Sequence, residues 1–239
     1  MSLIPSSLQR GFEASLSPLV ARLIARGVDP NAITTVGTLF LVGAGVAFGA
    51  AQIRLGGVLL LVSGVCDTLD GRVARGGRGT TAFGAFYDST LDRVGESALF
   101  VGIGVFFMSG GVPDRWRPLG VGLAMTALAA GLIVSYARAR AEGLGLECKV
   151  GIGQRAERLL GLGVPALFFG AGPQGRVLLG IVSLLALVSL VTVGQRIVHV
   201  YRRTRSGPVA ASPRPTRTTQ GRQLNAGVAE YIGKGRGGE

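Results

Sequence analysis

Residues 66–93 read CDTLDGRVARGGRGTTAFGAFYDSTLDR and place four carboxylates between long apolar segments. The four are Asp67, Asp70, Asp88 and Asp92. An ionised Asp at the centre of a membrane-spanning helix costs roughly 2.5 to 3.5 kcal/mol, so acids at that depth are rare unless they have a function. Asp67 and Asp70 are three residues apart, and Asp88 and Asp92 are four residues apart. Each of these two pairs therefore shares one face of a helix. The stretch predicts two adjacent helices that bring four acids together.

These acids indicate a metal site. Converging carboxylates repel one another, and hard divalent cations such as Mg²⁺ or Mn²⁺ neutralise them with the oxygen ligands that Asp supplies. Two such ions can hold a pyrophosphate, stabilise a leaving phosphate and leave one carboxylate to act as a base. Gly71 and Gly84 suit places where a ligand or backbone approaches closely, and Arg75 can bind a phosphate. The alternative, acids that only pair with nearby arginines, explains neither the glycines nor the spacing.

The composition is that of a membrane protein. Only 16% of the 239 residues are charged, against about 25% in a soluble domain. Hydrophobic residues make up 48%, and the mean hydropathy is +0.46. The net charge of +12 could suit a nucleic-acid binder, but such a protein would not place its basic residues between long apolar runs. We therefore expect an all-α protein in a lipid bilayer, with no nucleic-acid partner.

The apolar runs predict six transmembrane helices, of which the fifth is short and rich in glycine. They are Ile33–Ile53, a run that starts near Leu55, about Ala85–Met108, Leu119–Tyr136, Leu159–Phe169 and Val177–Val193. At 1.5 Å per residue, Asp67 lies roughly 18 Å into the second span, in its cytoplasmic half. One side of the membrane receives four basic residues, whereas the other 21 of the 25 lie on the opposite side or within the spans near it. Because cytoplasmic loops are enriched in basic residues, both termini and the mouth of the site are predicted to face the cytoplasm, in the cell membrane.

Two segments are predicted outside the six-helix domain, which covers residues 31–200. Residues 1–30 carry Leu8, Phe12, Leu16, Leu19 and Leu23 at helical spacing. This pattern is typical of an amphipathic helix in the cytoplasmic interface, bent near Pro18, and the alternative is a disordered leader. Residues 201–239 are rich in Gly, Pro, Thr and Arg and are predicted to form a disordered basic tail.

The carboxylate stretch resembles the signature of a known family. Its pattern, Asp67-x2-Asp70-Gly71-x2-Ala74-Arg75-x8-Gly84-x3-Asp88-x3-Asp92, matches the CDP-alcohol phosphotransferase family at eight fixed positions across 26 residues. The resemblance implies a six-span membrane enzyme, usually a homodimer. Such an enzyme moves a phosphate-linked group from a CDP-alcohol to an acceptor hydroxyl and releases CMP.

The resemblance also implies a role for each residue. One Mg²⁺ would bind Asp67, Asp70 and Asp88, and a second Asp67, Asp88 and Asp92, with Mn²⁺ as the alternative ion. Asp92 would also be the catalytic general base. The residues expected to bind CDP-diacylglycerol are Asn31, Ala32, Ile33, Thr34, Gly71, Arg75 and Thr81. The first four belong to a DPNAIT segment similar to the family's P-N/D-x-x-T element, although a helix N-cap explains Asn31 nearly as well.

The acceptor is suggested by segments after the fourth predicted span. Ser135–Glu142 reads SYARARAE and Gln154–Leu159 reads QRAERL, and both resemble bacterial phosphatidylinositol-phosphate synthases within the family. The residues expected to bind an acceptor phosphate are Ser135, Arg138, Arg155 and Arg196. Forked hydrogen bonds from arginines of three helices suit a phosphomonoester. The expected reaction transfers the phosphatidyl group from CDP-diacylglycerol to 1D-myo-inositol 3-phosphate, giving phosphatidylinositol phosphate and CMP.

Three alternatives stay open. The arginines could be positive-inside anchors, an interpretation favoured most for Arg158. Glycerol 3-phosphate, which would give phosphatidylglycerol phosphate, satisfies the same arginine argument. The sequence also departs from the subfamily, with Arg138 where Lys is frequent and Ala156 where Pro is frequent. A divalent-cation transporter also carries intramembrane acids, but it would place them through the whole depth of the bundle.

Overall fold

The computed structural model describes residues 6–77, 79–148, 150–152 and 155–205, and within these ranges it is helical without strands. The main helices are α1 (Ser6–Ala25), α2 (Pro30–Gly49), α3 (Ile53–Gly76), α4 (Ala82–Phe106), α5 (Arg117–Glu142), α6 (Arg155–Phe169) and α7 (Arg176–Arg205). A π-helical turn, Phe107–Gly111, extends α4, and short 3₁₀ turns precede α5 and α7. The predicted all-α class is confirmed.

Helices α2 and α4 each begin at a side-chain N-cap. Asp29 caps α2, where its side chain accepts a 3.0 Å hydrogen bond from the backbone N–H of Asn31, and Pro30 occupies the first turn. The alternative in which Asn31 is the cap is therefore wrong. Thr81 caps α4 and accepts a 2.9 Å hydrogen bond from the Gly84 N–H. Both caps lie at the end of the bundle where the acids converge.

Glycines bring α2 and α4 into direct backbone contact. A Cβ on Gly45 would collide with the carbonyl of Ala98, and one on Gly102 would collide with the carbonyl of Gly45. The side chain of Leu41 packs over Gly95 in the same interface. Small residues permit this close approach where helices meet in a membrane. Around the contact lies an apolar core that includes the fully buried Phe48 and Ile103.

Within the described ranges, four helical segments are long and apolar enough to cross a membrane. They are Pro30–Gly49, Ala82–Gly111, Asp114–Glu142 and Pro173–Arg205. The other two predicted spans correspond to α3, which carries Asp67, Asp70 and several arginines, and to α6, which has only 15 residues. The chain is a helical membrane protein, while six spans and cytoplasmic termini stay predictions.

Only part of the apolar stripe predicted in the first thirty residues is buried. Helix α1 packs on α3, where Leu16 and Leu23 join a cluster around Val20 and Val73. Phe12 and Leu19 of the predicted apolar stripe are instead exposed, at 44% and 40%, and the side chain of Leu8 lies outside what the structure describes.

Helix α7 is longer than predicted. It continues beyond Val193 to Arg205, so the first residues assigned to the tail are helical. Its last turn carries arginines, which interact favourably with a helix C-terminus. Residues 206–239 lie outside the described ranges.

Candidate active site

Three of the four predicted acids form one cluster. Oxygens of Asp67 and Asp70 from α3 and of Asp88 from α4 all lie within 4.8 Å of one another. Asp70 is buried, and its Oδ2 accepts a 2.8 Å hydrogen bond from the hydroxyl of Thr34. Asp88 Oδ1 is buried without a hydrogen-bond partner among the described residues. A cluster of carboxylates alone, with one orphaned oxygen, fits a hard divalent cation.

Asp92 lies one turn further along α4 and is not a member of that cluster of three. Arg155 bridges it to the cluster, with Nη2 2.6 Å from Asp92 Oδ1 and Nη1 2.5 Å from Asp67 Oδ1. Among the described ion pairs, none involves Asp70 or Asp88. The alternative, in which the acids only pair with arginines, thus applies to Asp67 and Asp92. Asp70 and Asp88 have no arginine partner among the described ion pairs.

A first cavity of about 740 Å³, the glycine-lined cavity, opens beside the carboxylates. It lies between the start of α2, the end of α3 and the start of α4. Of the residues expected to bind CDP-diacylglycerol, five line it: Asn31, Thr34, Gly71, Arg75 and Thr81. Ala32 and Ile33 do not, because they face away from Asn31 and Thr34 on the first turn of α2. Ile33 packs instead against the α1–α3 apolar cluster.

The glycines of this cavity leave space that a side chain would fill. A Cβ on Gly84 would lie 3.0 Å from Thr81 Oγ1 and 3.4 Å from Asn31 Oδ1. A Cβ on Gly71 would lie 3.2 Å from Arg75 Nη1. At both glycines, polar side-chain atoms lie so close to the backbone that a Cβ would crowd them, as the sequence predicts for places of close approach. These polar groups can contact a ligand.

A second cavity of about 1140 Å³, the arginine-lined cavity, lies between α4, α5, α6 and α7. Its basic residues are Arg93, Arg138, Arg155, Arg158 and Arg196. Ala85 and Asp88 line both cavities, so the two adjoin at the first turns of α4. A group bound in one cavity can therefore be passed to a molecule bound in the other beside the carboxylates.

The four residues expected to bind an acceptor phosphate all line this second cavity. Ser135 accepts a 2.6 Å hydrogen bond from Arg93 Nη1, and Arg138 is paired with Glu142 at 2.8 Å. Arg196 donates to the backbone carbonyls of Val150, at 3.0 Å, and Val134, and so ties the α5–α6 segment to α7.

Sequence reasoning missed a buried ionic network below the arginine-lined cavity. Glu96 is 3% exposed. Its Oε2 accepts a 2.8 Å hydrogen bond from Arg93 Nη1, and its Oε1 accepts a 3.0 Å hydrogen bond from Arg158 Nη2. The side chain of Arg158 is only 10% exposed and is paired with Glu96 in this network, which gives it a partner that the membrane-anchor interpretation does not include. Glu96 follows Asp88 and Asp92 at intervals of four residues, a spacing on one helix face that could have revealed it.

The fold and site define a class: helical membrane proteins in which a carboxylate metal site lies between two ligand cavities. Residues 28–200 match the CDP-alcohol phosphatidyltransferase family, and the protein belongs to that family. It is accordingly a membrane transferase of phospholipid synthesis, which excludes the transporter alternative. The family depends on divalent metal, in agreement with the chemistry of the Asp cluster.

Two relatives are similar over most of the chain. The chain is 36% identical over 208 residues to the phosphatidylinositol phosphate synthase of Streptomyces avermitilis, covering 84% of each protein. Its fold resembles the Mycobacterium tuberculosis phosphatidylinositol phosphate synthase with CDP-DAG bound, with a TM-score of 0.66 and 32% identity over 77% of this chain and 92% of that one. A structure of the same enzyme with manganese and citrate also gives a TM-score of 0.66, at 32% identity over 77% of this chain and 88% of that one.

Proposed function

We propose that the protein is a phosphatidylinositol phosphate synthase that transfers the phosphatidyl group from CDP-diacylglycerol to 1D-myo-inositol 3-phosphate. The observation that carries the proposal is the arginine-lined cavity next to the carboxylate cluster. A phosphomonoester carries close to two negative charges and accepts forked hydrogen bonds from Arg. A neutral or zwitterionic acceptor would not need five arginines around its site. The names of the similar enzymes support the same acceptor.

In the proposed reaction, the nucleotide and pyrophosphate of the donor occupy the glycine-lined cavity near Arg75 and Thr81, and the acyl chains stay in the bilayer. Inositol phosphate binds through its phosphate to Arg138, Arg155 and Arg196. One of its ring hydroxyls attacks the β-phosphorus, the bond from that phosphorus to the bridging oxygen that leaves with CMP breaks, and Asp92 takes the hydroxyl proton. The products are phosphatidylinositol phosphate and CMP.

Asp67, Asp70 and Asp88 are the residues proposed to hold one divalent cation, and Asp67, Asp88 and Asp92 a second, with Mg²⁺ or Mn²⁺ as the ion. When bound, the cations neutralise the pyrophosphate and stabilise the phosphate that leaves with CMP. The orphaned Oδ1 of Asp88 supports this role, since a buried carboxylate oxygen without a donor is otherwise unfavourable.

The proposal includes the topology. The six-helix domain of residues 31–200 would span the cell membrane with α3 and α6 as additional crossings, and α1 would lie in the interface. The mouth of the site and both termini would face the cytoplasm, where the soluble acceptor is present and CMP is released. A homodimer is proposed from the family resemblance.

The test is CMP release by purified protein in liposomes that contain CDP-diacylglycerol and Mg²⁺. Inositol phosphate, glycerol 3-phosphate, free inositol and serine are offered separately. Release with inositol phosphate alone supports the proposal. Release with glycerol 3-phosphate instead keeps the donor and metal assignments and gives the second candidate, phosphatidylglycerol-phosphate synthase, because the same arginines bind that acceptor. Release with free inositol or serine refutes the acceptor assignment.

Asp92→Asn tests the base. Because the amide cannot accept the hydroxyl proton, we expect turnover to fall by roughly a hundredfold or more, while CDP-diacylglycerol binding is largely retained. Loss of donor binding in a folded variant, or undiminished CMP release, would contradict the assignment.

A further inference from the structure

Glu96 is a buried carboxylate that the proposed reaction does not use. It lines neither cavity, and a single turn of α4 separates it from Asp92. Three guanidinium groups surround it: Arg93 at 2.8 Å, Arg158 at 3.0 Å and the Nε of Arg155 at 3.7 Å. A buried charge is stable only when it is paired and hydrogen-bonded. Glu96 is therefore the shared counter-ion of arginines that come from α4 and α6.

The chain also leaves room for this network. A Cβ on Gly131 of α5 would lie 2.7 Å from Arg158 Nη1. Arg93, which contacts Glu96 through Nη1, uses the same nitrogen to donate to Ser135 Oγ at 2.6 Å. Glu96 thus connects α4, α5 and α6 behind the lining of the arginine-lined cavity. The three arginines that it contacts are among the five that line that cavity.

Two members of the network reach the carboxylate site: Arg93 Nη2 lies 3.5 Å from Asp92 Oδ2, and Arg155 contacts two of the acids. Its two terminal nitrogens contact Asp67 and Asp92, while its Nε faces Glu96. Asp67 and Asp92 are residues proposed to hold cations, so a cation and Arg155 compete for the same two carboxylate groups. For a cation to bind, the guanidinium must shift away from Asp67 and Asp92, and it needs another anionic partner to stay buried.

We propose that Glu96 is a positioning residue that anchors Arg155 and Arg158 and, by supplying the alternative partner for Arg155, allows divalent cations to bind Asp67 and Asp92. The residue acts through arginines rather than on the substrate. Its effect extends in two directions, to cation affinity on one side and to binding of the phosphorylated acceptor on the other. The second direction rests on the function proposed above, and the first does not.

The test of the first direction measures Mn²⁺ binding to the full-length protein in detergent by electron paramagnetic resonance, with no substrate present. Glu96→Gln should raise the Mn²⁺ dissociation constant by roughly tenfold or more, the range of other residues that support metal ligands. Arg155→Gln, which removes the competitor, should lower it. In the Arg155→Gln background, adding Glu96→Gln should shift the constant by no more than about twofold, the scatter of independent effects. Equal weakening in both backgrounds would mean a simple loss of charge and would overturn the proposal.

Asp114→Asn is the matched control. It also removes a carboxylate paired with an arginine three residues away, at 2.7 Å from Arg117, but in the exposed 3₁₀ turn before α5 and outside both cavities. Its Mn²⁺ affinity should equal that of the wild type. A loss equal to that of Glu96→Gln would show a non-specific charge effect and refute the assignment.

Glu96→Asp covers the case in which Glu96→Gln does not fold, because it keeps the charge. Its shorter side chain retracts the carboxylate from Arg155 and Arg158. With whichever acceptor supports CMP release, KM for the acceptor should rise several-fold while KM for CDP-diacylglycerol is unchanged. An unchanged acceptor KM, or equal increases for both substrates, would overturn the positioning role.

Discussion

Replacing Thr34 by Val removes one hydroxyl beneath the carboxylate cluster and leaves the shape of the side chain. That hydroxyl donates to Asp70 Oδ2 at 2.8 Å, and both residues are buried, at 8% and 7% exposure. A hydrogen bond to a charged group contributes about 1.5 to 3 kcal/mol. Since 1.4 kcal/mol corresponds to a factor of ten, its loss should weaken cation binding by roughly tenfold to a hundredfold.

The assay is Mn²⁺ titration by electron paramagnetic resonance, together with the Mg²⁺ dependence of CMP release. Thr38→Val is the control, because it makes the same change one turn along α2, where the hydroxyl donates to the carbonyl of Thr34 at 2.9 Å and, among the described residues, to no carboxylate. Thr34→Val should require more Mg²⁺ for half-maximal activity and Thr38→Val should not. Equal Mn²⁺ affinity in the two variants would refute the role of Thr34 as the orienting donor of Asp70.

Two further substitutions test the cavities separately. Gly84→Ala places a Cβ 3.0 Å from Thr81 Oγ1, so KM for CDP-diacylglycerol should rise several-fold at constant acceptor KM; steady-state kinetics check this, and the reverse pattern would contradict the donor assignment. Gly131→Ala places a Cβ 2.7 Å from Arg158 Nη1, so we expect a higher acceptor KM in the same assay. A variant that folds and binds the acceptor as the wild type does would exclude a role for Arg158 in shaping the arginine-lined cavity.

The carboxylate cluster could be predicted because its information is local. Asp67 and Asp70 share a helix face by their spacing, and the nearby glycines mark the turn region that returns the chain to Asp88. Because acids within a membrane are energetically costly, their presence there indicates a function. Arg155 was also predicted as an anion-binding residue, but its contacts with Asp67 and Asp92 depend on the packing of α6 against α3 and could not be read from the chain.

The spacing of Glu96 from Asp88 and Asp92 places it on their helix face, but its arginine partners could not be predicted, for the same reason. Glu96 and Arg158 are 62 residues apart in sequence and meet only because α4, α5 and α6 pack together. Taken alone, Arg158 near the end of a loop looks like a membrane anchor, since basic residues are common there. At the start of α2 the prediction includes too many residues. It assigns all of Asn31–Thr34 to the CDP-diacylglycerol site, although a helix can turn only some of four consecutive side chains towards one cavity.

The packing of α2 on α4 explains why residues far from the chemistry matter to it. Asp88, Asp92 and Glu96 lie on successive turns of α4, about 6 Å apart along its axis. Asp88 belongs to the carboxylate cluster, Asp92 is the proposed base, and Glu96 belongs to the arginine network. A rotation or shift of α4 would displace all three at once. The direct backbone contact at Gly45 and Gly102 fixes that register, because no flexible side chain lies between the helices. Asn31 lies at the other end of α2, so the same contact helps to set its distance from Gly84 of α4. The glycines of this interface thus position the acids of α4 as well as pack the two helices.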